Sequence, residues 1–210
     1  MTLPPMRGPP MSDAAVPAYP VTFTFDPPET IARWRVIGNI ILAIPHLIVL
    51  SVLQFVAEIL GFVAWILGVF TGRVPEGILG FIALYLRYNT RVTTYLLFLK
   101  EDYPPFSFDM TLADPGDDPR VRVDFAPAIE NRNRLTIFFR LFLAIPQFIV
   151  LGLISMVLGL VVVIGWFAVL ITGRWPSGLR NFVIGMTRWS LRVNSYLYLL
   201  TDDYPPFSTS

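Results

Sequence analysis

The chain has 210 residues, 54% of them hydrophobic, and its mean hydropathy of +0.60 lies above the usual range of soluble globular proteins, which predicts that lipid solvates much of it. Its 16 basic and 15 acidic residues give a formal net charge of +1, so no overall positive field favours a nucleic acid as partner. One histidine and no cysteine exclude disulfides, thiol nucleophiles and metal sites built from cysteines or a histidine cluster.

The chain begins with a tail and continues as two copies of one unit. Residues 1–18 are rich in proline and small residues and have no basic segment leading into an apolar core, so they are predicted to be a disordered tail rather than a signal peptide. A shift of 101 residues then aligns most of the remainder. The boundaries are 19–107 for repeat 1, 108–120 for an acidic linker and 121–210 for repeat 2.

Each repeat opens with a short strand. Tyr19–Phe25 and Val121–Phe125 alternate between apolar and other side chains, the pattern of a strand, and the two could pair with each other. After the first strand, Asp26 is a suitable N-cap, proline follows it and Glu29 stands three residues later. These signals predict a helix that begins near Pro27.

Each repeat then contains a long apolar stretch. From Val36 to Phe70 the only charge is Glu58, and from Leu141 to Thr172 there is none. Both stretches exceed the roughly 20 residues that span a bilayer. We therefore predict a membrane hairpin in each, short or re-entrant, with bends at 54–61 and 155–159. Prolines at two matching positions are expected to kink the first arms; these are Pro45 and Pro146.

Arginines flank both apolar stretches at matching positions, which places both ends of each stretch on the cytoplasmic side by the positive-inside rule. Two copies with matched arginines should share one orientation, so each should cross the membrane an even number of times. The prediction is a parallel repeat with four crossings and cytoplasmic termini. The flanking residues are Arg33, Arg35, Arg73, Arg132, Arg134, Arg140 and Arg174.

The last segment of each repeat carries a polar stripe on one helical face. Ile78–Leu99 is apolar apart from this stripe. Two arginines at mid-helix are costly at the bilayer centre, so this helix is predicted to lie in the membrane interface. The alternative is that the stripe turns inward against the hairpins. The stripe residues are Arg87, Thr90, Arg91 and Thr94 in repeat 1 and Arg188, Arg192 and Ser195 in repeat 2.

These elements predict a mainly α integral membrane protein of two tandem repeats, each with a strand, a membrane helical hairpin and an amphipathic interfacial helix. Guanidinium groups bind phosphate bidentately, so six arginines are candidates for phospholipid headgroups or a structural anion: Arg73, Arg87, Arg91, Arg174, Arg188 and Arg192. The alternative is that arginines hold the repeat together by capping carbonyls or pairing with acids, namely Glu101, Asp102, Asp202 and Asp203. Four tyrosines are predicted interfacial anchors: Tyr95, Tyr103, Tyr196 and Tyr204.

Two single polar residues in the first apolar stretch have no chemical equivalent in the second copy. His46 corresponds to Gln147, which can replace it in hydrogen bonding but not in metal binding or proton transfer, so a structural role is favoured. Glu58 corresponds to Gly159, and the predicted bend would put it in a solvated turn near the headgroups rather than in an intramembrane site. No metal, cofactor or catalytic set is predicted.

Several motifs of the repeat resemble one known family. Ala-Ile-Pro-His, Thr-Gly-Arg-x-Pro-x-Gly, Arg-x-x-x-Arg-Val-x-x-Tyr and Tyr-Pro-Pro-Phe-Ser are similar to a bacterial, mainly actinobacterial, membrane family, that of domain of unknown function 4389, in which tandem copies are common. The resemblance covers residues 19–208. It implies a bacterial inner-membrane protein and supplies no activity or functional residues.

Three function classes remain at this point. The favoured hypothesis is a non-enzymatic membrane accessory or membrane-organising protein that contacts anionic phospholipid headgroups. Other membrane proteins or a second copy are the further partners considered. The alternative is a small transporter or channel component, because intramembrane polar residues accompany the duplication. A lipid enzyme is disfavoured, since no base, nucleophile or metal set accompanies the arginines.

Overall fold

The structure is a computed structural model that describes residues 19–209; the predicted tail, 1–18, lies outside the described residues. Both repeats have the same order of one strand, one short helix and two long helices. Repeat 1 contains β1 (Val21–Phe25), α1 (Arg35–Leu42), α2 (Ile44–Thr71) and α3 (Glu76–Leu96). Repeat 2 contains β2 (Val121–Phe125), α4 (Arg134–Phe138), α5 (Arg140–Thr172) and α6 (Ser177–Leu197).

The two strands form an antiparallel ribbon, which confirms the predicted pairing. Phe23 lies opposite Val123 at its centre. The ladder continues past β1, because the backbone N–H of Asp26 donates to the carbonyl of Arg120 at 3.0 Å. Asp26 is therefore part of the ribbon rather than an N-cap, and Pro28 disfavours helical geometry at the residue before it. The predicted helix start near Pro27 is wrong, and α1 begins at Arg35.

The predicted membrane hairpins are also wrong. The expected bends at 54–61 and 155–159 both lie inside unbroken helices of 28 and 33 residues. Their polar side chains are satisfied within the helix: Gln54 donates to Glu58 at 2.9 Å, and Ser155 donates to the carbonyl of Leu151 at 2.7 Å. Such bonds between residues four apart allow a polar residue to remain in a helix without a bend.

Breaks do occur near the start of each long helix. A one-residue break at Ala43 separates α1 from α2, with Pro45 in the first turn after it, close to the expected kink. In repeat 2 the break lies earlier, at Phe139, and Pro146 lies inside α5. Both long helices end on a left-handed glycine, Gly72 at φ 71° and Gly173 at φ 70°, a conformation that glycine adopts without steric cost.

The two repeats run in opposite directions. The start of repeat 1 meets the end of α5, where Ile31 N–H donates to the carbonyl of Gly173 at 2.8 Å. Equivalently, Arg132 N–H donates to the carbonyl of Gly72 at 3.2 Å. Because each long segment starts where the other ends, the predicted parallel arrangement is wrong. Arg73 and Arg174, which directly follow these glycines, lie at opposite ends of the molecule.

The helices and the ribbon form three layers. The strands are exchanged between the repeats, so that α3 lies between α2 and β2 while α6 lies between α5 and β1. Leu79, Ile82 and Val92 of α3 are fully buried. Helix α3 is therefore internal, which contradicts its predicted interfacial position, whereas α6 is buried along only part of its surface. The stripe of α3 faces inward, as in the alternative, but it contacts the linker rather than the apolar helices.

The outer helices α2 and α5 present apolar surface to the outside. They are the two helices, within 19–209, that are long and apolar enough to cross a membrane. Only 17% and 11% of their most apolar windows are buried, which is unlike the core helix of a soluble protein. Large exposed side chains include Phe55, Phe62 and Phe70 on α2 and Phe148, Met156 and Phe167 on α5.

Candidate functional site

A buried carboxylate in the linker pairs with the two arginines of the α3 stripe. Asp114 accepts a hydrogen bond from Nη2 of Arg91 at 2.7 Å and lies 3.5 Å from Nε of Arg87. It also accepts the backbone N–H groups of Gly116 and Val123, each at 2.8 Å. The carboxylate is fully buried and is both neutralised and hydrogen-bonded, as a buried charge must be. We call this set the Asp114 cradle.

Arg87 also binds backbone carbonyls of the linker and of β2. Its guanidinium donates to the carbonyls of Thr111 at 2.9 Å and of Val123 at 3.2 Å. The side chains of Arg87 and Arg91 are 3% and 1% exposed, so neither can reach a headgroup. These two arginines therefore hold the repeat together, as in the alternative interpretation. Their acidic partner is Asp114 and not one of the four acids expected from the sequence. Part of the acidic linker is thus buried, and the arginine pair is the sequence signal for this contact.

The equivalent arginines of α6 are placed differently. Arg188 donates to the carbonyl of Thr209 at 3.0 Å and lies 5.8 Å above the ring of Phe23. Arg192 lies 5.5 Å above the ring of Tyr19. No carboxylate within residues 19–209 comes within 4.0 Å of either guanidinium. Burial, and then the charge of Arg188, lower the pKa of Arg192.

Two of the four predicted acids, Asp202 and Asp102, bind arginines elsewhere. Asp202 receives a bidentate contact from Arg132, at 2.8 and 2.6 Å, and a further one from Arg140. Burial opposes ionisation of Asp202, but the hydrogen bonds and charges of these arginines outweigh it and lower its pKa. Asp102 pairs with Arg120, and Glu101 accepts the backbone N–H of Ala32. These contacts hold the ends of the repeats in place.

Exposed arginines lie at both ends of the molecule. At one end, Arg73 follows α2 with its side chain 65% exposed and pairs with Glu130 at 3.0 Å, and Arg134 donates to the carbonyl of Thr71 at 3.3 Å. At the other end, Arg33 and Arg174 are the exposed equivalents. We call these two pairs the arginine corners. Each adjoins the end of an exposed apolar helix.

The tyrosines predicted as anchors divide into two kinds. Tyr95 and Tyr196 are 0% and 2% exposed, so they are core residues and cannot anchor the chain in an interface. Tyr103 and Tyr204 are 44% and 41% exposed and remain candidate anchors. They begin the Tyr-Pro-Pro-Phe segments, which fold back onto the long helices.

In repeat 1, the Tyr-Pro-Pro-Phe segment contacts α2 at His46. Phe106 stacks on its ring with centroids 4.2 Å apart, and Nδ1 lies 2.5 Å from the hydroxyl of Tyr88. In repeat 2, Gln147 donates to the carbonyl of Pro205 at 2.6 Å and accepts from Trp189 at 2.9 Å. Glutamine thus replaces histidine in hydrogen bonding, as predicted. Within the described residues no group of three or more His, Cys, Asp or Glu could hold a metal ion.

An open groove of about 410 Å³ runs beside the middle of α2. Glu58 lines it and hydrogen-bonds only Gln54 among the described residues. Because α2 has no bend, the predicted solvated turn at Glu58 is wrong, and the carboxylate lies midway along a candidate membrane span. The remaining lining is mainly apolar and aromatic and includes Phe62, Trp65, Phe148, Leu197 and Tyr198.

The fold thus defines a duplicated, mainly helical protein with two exposed apolar helices and a polar layer made by the linker and ribbon. Residues 33–107 and 134–209 each match the family model described as Domain of unknown function (DUF4389). The chain belongs to this family, in tandem duplicate. No curated protein and no solved structure matches the chain.

Proposed function

We propose that the chain is a non-enzymatic accessory protein that organises a membrane and contacts anionic phospholipid headgroups. The observation that carries this proposal is that the exposed apolar surfaces of α2 and α5 each end at an arginine corner. Apolar surface of this extent is typical of a lipid contact, and arginine at the end of such a helix reaches the phosphates. The bacterial inner membrane is the expected location.

The layer order supports an orientation for the protein. Irregular backbone is not tolerated in contact with hydrocarbon, so the linker and ribbon belong in water while α2 and α5 face lipid. The arginine corners then lie between the two, at the level of the headgroups. Of the six arginines suggested by the sequence, Arg73 and Arg174 keep this role and are joined by Arg33 and Arg134.

Removing the arginine corners is expected to weaken the preference for anionic lipid. Each arginine near an anionic surface is worth about 1 kcal/mol, so Arg33→Gln with Arg174→Gln should reduce retention of phosphatidylglycerol by roughly tenfold or more. Native mass spectrometry of the purified chain, with equimolar phosphatidylglycerol and phosphatidylcholine, measures this retention. Arg73→Gln with Arg134→Gln should behave the same way.

The matched control is Arg122→Gln, which removes one exposed arginine from the ribbon. It should leave the lipid preference unchanged. All variants should resist extraction from membranes by carbonate, since the apolar surfaces are intact. If the corner variants retain phosphatidylglycerol as the wild type does, the headgroup role is refuted.

The position of Glu58 favours a second candidate function, as a component of a transporter or channel. This candidate requires that α2 crosses the membrane, which would put Glu58 near the midplane, where a carboxylate is expensive and usually serves an ion or proton pathway. The expected result is a proton or cation flux in proteoliposomes that Glu58→Gln abolishes. Glu76→Gln, at an exposed residue in the first turn of α3, is the control. Equal flux through wild type, Glu58→Gln and empty vesicles would eliminate this candidate.

A further inference from the structure

We propose that repeat 2 carries an oxyanion-binding site, formed by Arg188, Arg192 and the backbone N–H of Phe23. In repeat 1, the corresponding position between the arginines and the strand holds the carboxylate of Asp114. The ligand is one carboxylate or phosphate group. These residues are separate from the arginine corners, so this site and the lipid proposal can fail independently.

The Asp114 cradle is the template for this site. Three of its four donor groups serve as this template: two guanidiniums one helical turn apart and the backbone N–H of Val123, which donates to Asp114 at 2.8 Å. The fourth is the backbone N–H of Gly116 within the linker. The arginines come from α3, and the N–H of Val123 comes from the strand packed on that helix. A single carboxylate therefore satisfies both elements at once.

Repeat 2 supplies three groups of the same kind on the corresponding elements. Arg188 and Arg192 are one turn apart on α6, and β1 packs on α6 as β2 packs on α3. Phe23 is opposite Val123 in the ribbon. In an antiparallel pair, the backbone N–H groups of two opposite residues either both donate to the opposite residue or both point away from the partner strand. Since the N–H of Val123 points outward to Asp114, that of Phe23 also points outward, and no residue of the described chain accepts it.

The electrostatics of the site favour an anion. Within the described chain, Arg192 makes no hydrogen bond or ion pair, and its Nε is buried without a partner. The rings of Tyr19 and Phe23 cover the two guanidiniums, which removes water without supplying an acceptor. Two partly buried, adjacent positive charges repel each other, and an oxyanion between them relieves this repulsion and fills the unused donors.

Three sources could provide this chemistry. A lipid phosphate and a free phosphate or carboxylate come from outside the chain. A third source is Asp13, the one acid in the sequence before β1, which lies outside the described residues. Guanidinium forks fit all three groups, so the experiment must separate them.

The test is isothermal titration of the full chain in detergent, free of lipid and phosphate, with inorganic phosphate and with dihexanoyl phosphatidylglycerol. One saturable site is expected per chain. Arg192→Gln and Arg188→Gln each remove one charged donor and should weaken the binding of phosphate by roughly tenfold or more. Arg122→Gln should bind as the wild type does. Tyr19→Glu, which places a carboxylate beside Arg192, should abolish phosphate binding while keeping the unfolding midpoint at least as high as in the wild type.

The outcomes identify the source or refute the site. Tighter binding of the phosphatidyl ligand than of phosphate indicates a lipid, and equal binding indicates a free anion. Binding that appears only in Asp13→Asn indicates that the chain fills its own site. If neither the wild type nor Asp13→Asn binds either probe, or if Arg192→Gln binds as well as the wild type, the proposal is overturned.

Discussion

Replacing Asp114 with alanine is expected to lower the free energy of unfolding by about 3–5 kcal/mol, the usual cost of removing one partner from a buried ion pair. The change leaves the guanidiniums of Arg87 and Arg91 without a counter-charge in the interior. It also removes the acceptor of the N–H groups of Gly116 and Val123. The linker should then detach from α3, so the loss should spread to the ribbon.

Denaturant unfolding in detergent micelles, followed by tryptophan fluorescence, measures this loss. Asp117→Ala is the matched control, because its carboxylate is 39% exposed and 4.0 Å from Arg91. A contact this long, made by a partly exposed carboxylate, is worth about 1 kcal/mol or less. A smaller loss for Asp114→Ala than for Asp117→Ala would show that the cradle does not hold the linker. Adding Arg91→Met to Asp114→Ala should recover part of the loss, since one unpaired charge is removed.

The repeat was the most predictable feature of the fold. A constant offset matches Thr71-Gly72-Arg73 with Thr172-Gly173-Arg174, and the structure ends both long helices at these glycines. The strands were equally predictable, because their alternation is local. In each case the signal lies within a few residues of the element that it specifies.

The hairpins were predicted wrongly because length alone does not determine where an apolar stretch divides. Nothing in 54–61 or 155–159 forces a bend, since neither segment contains proline and each has one glycine. Gln54, Glu58 and Ser155 find partners inside the helix. A polar residue indicates a bend only where the helix cannot provide a hydrogen-bond partner for its side chain.

The candidate sites depended on contacts that no local pattern contains. Asp114 is 23 residues from Arg91, and its burial depends on how the linker folds over α3. The opposite orientation of the repeats likewise arises from contacts between distant ends, as between Ile31 and Gly173. Sequence alone supplied the arginine pairs, but whether each pair meets an acid, a ring or a headgroup is decided by tertiary packing.

A second large effect is expected where the two copies differ in their packing. In repeat 2, Trp175 lies against Gly165 of α5, and a Cβ built on this glycine would overlap the ring. The indole donates to the carbonyl of Phe98 at 2.9 Å and so connects repeat 2 to repeat 1. The equivalent residues of repeat 1 are Ala64 and Val74, both fully buried. The smaller valine leaves room for the alanine.

Gly165→Ala is therefore expected to cost about 1–3 kcal/mol through overpacking, despite the better helix propensity of alanine. In a Trp175→Val background, which copies the pair of repeat 1, the same change should cost nothing or stabilise slightly. The difference between the two costs is the coupling energy of a double-mutant cycle, measured by denaturant unfolding. Gly159→Ala on the same helix, where a Cβ meets nothing within 4 Å, is the control and should be neutral or stabilising. If Gly165→Ala costs the same in both backgrounds, the tryptophan is not the cause, and the glycine is required for another reason.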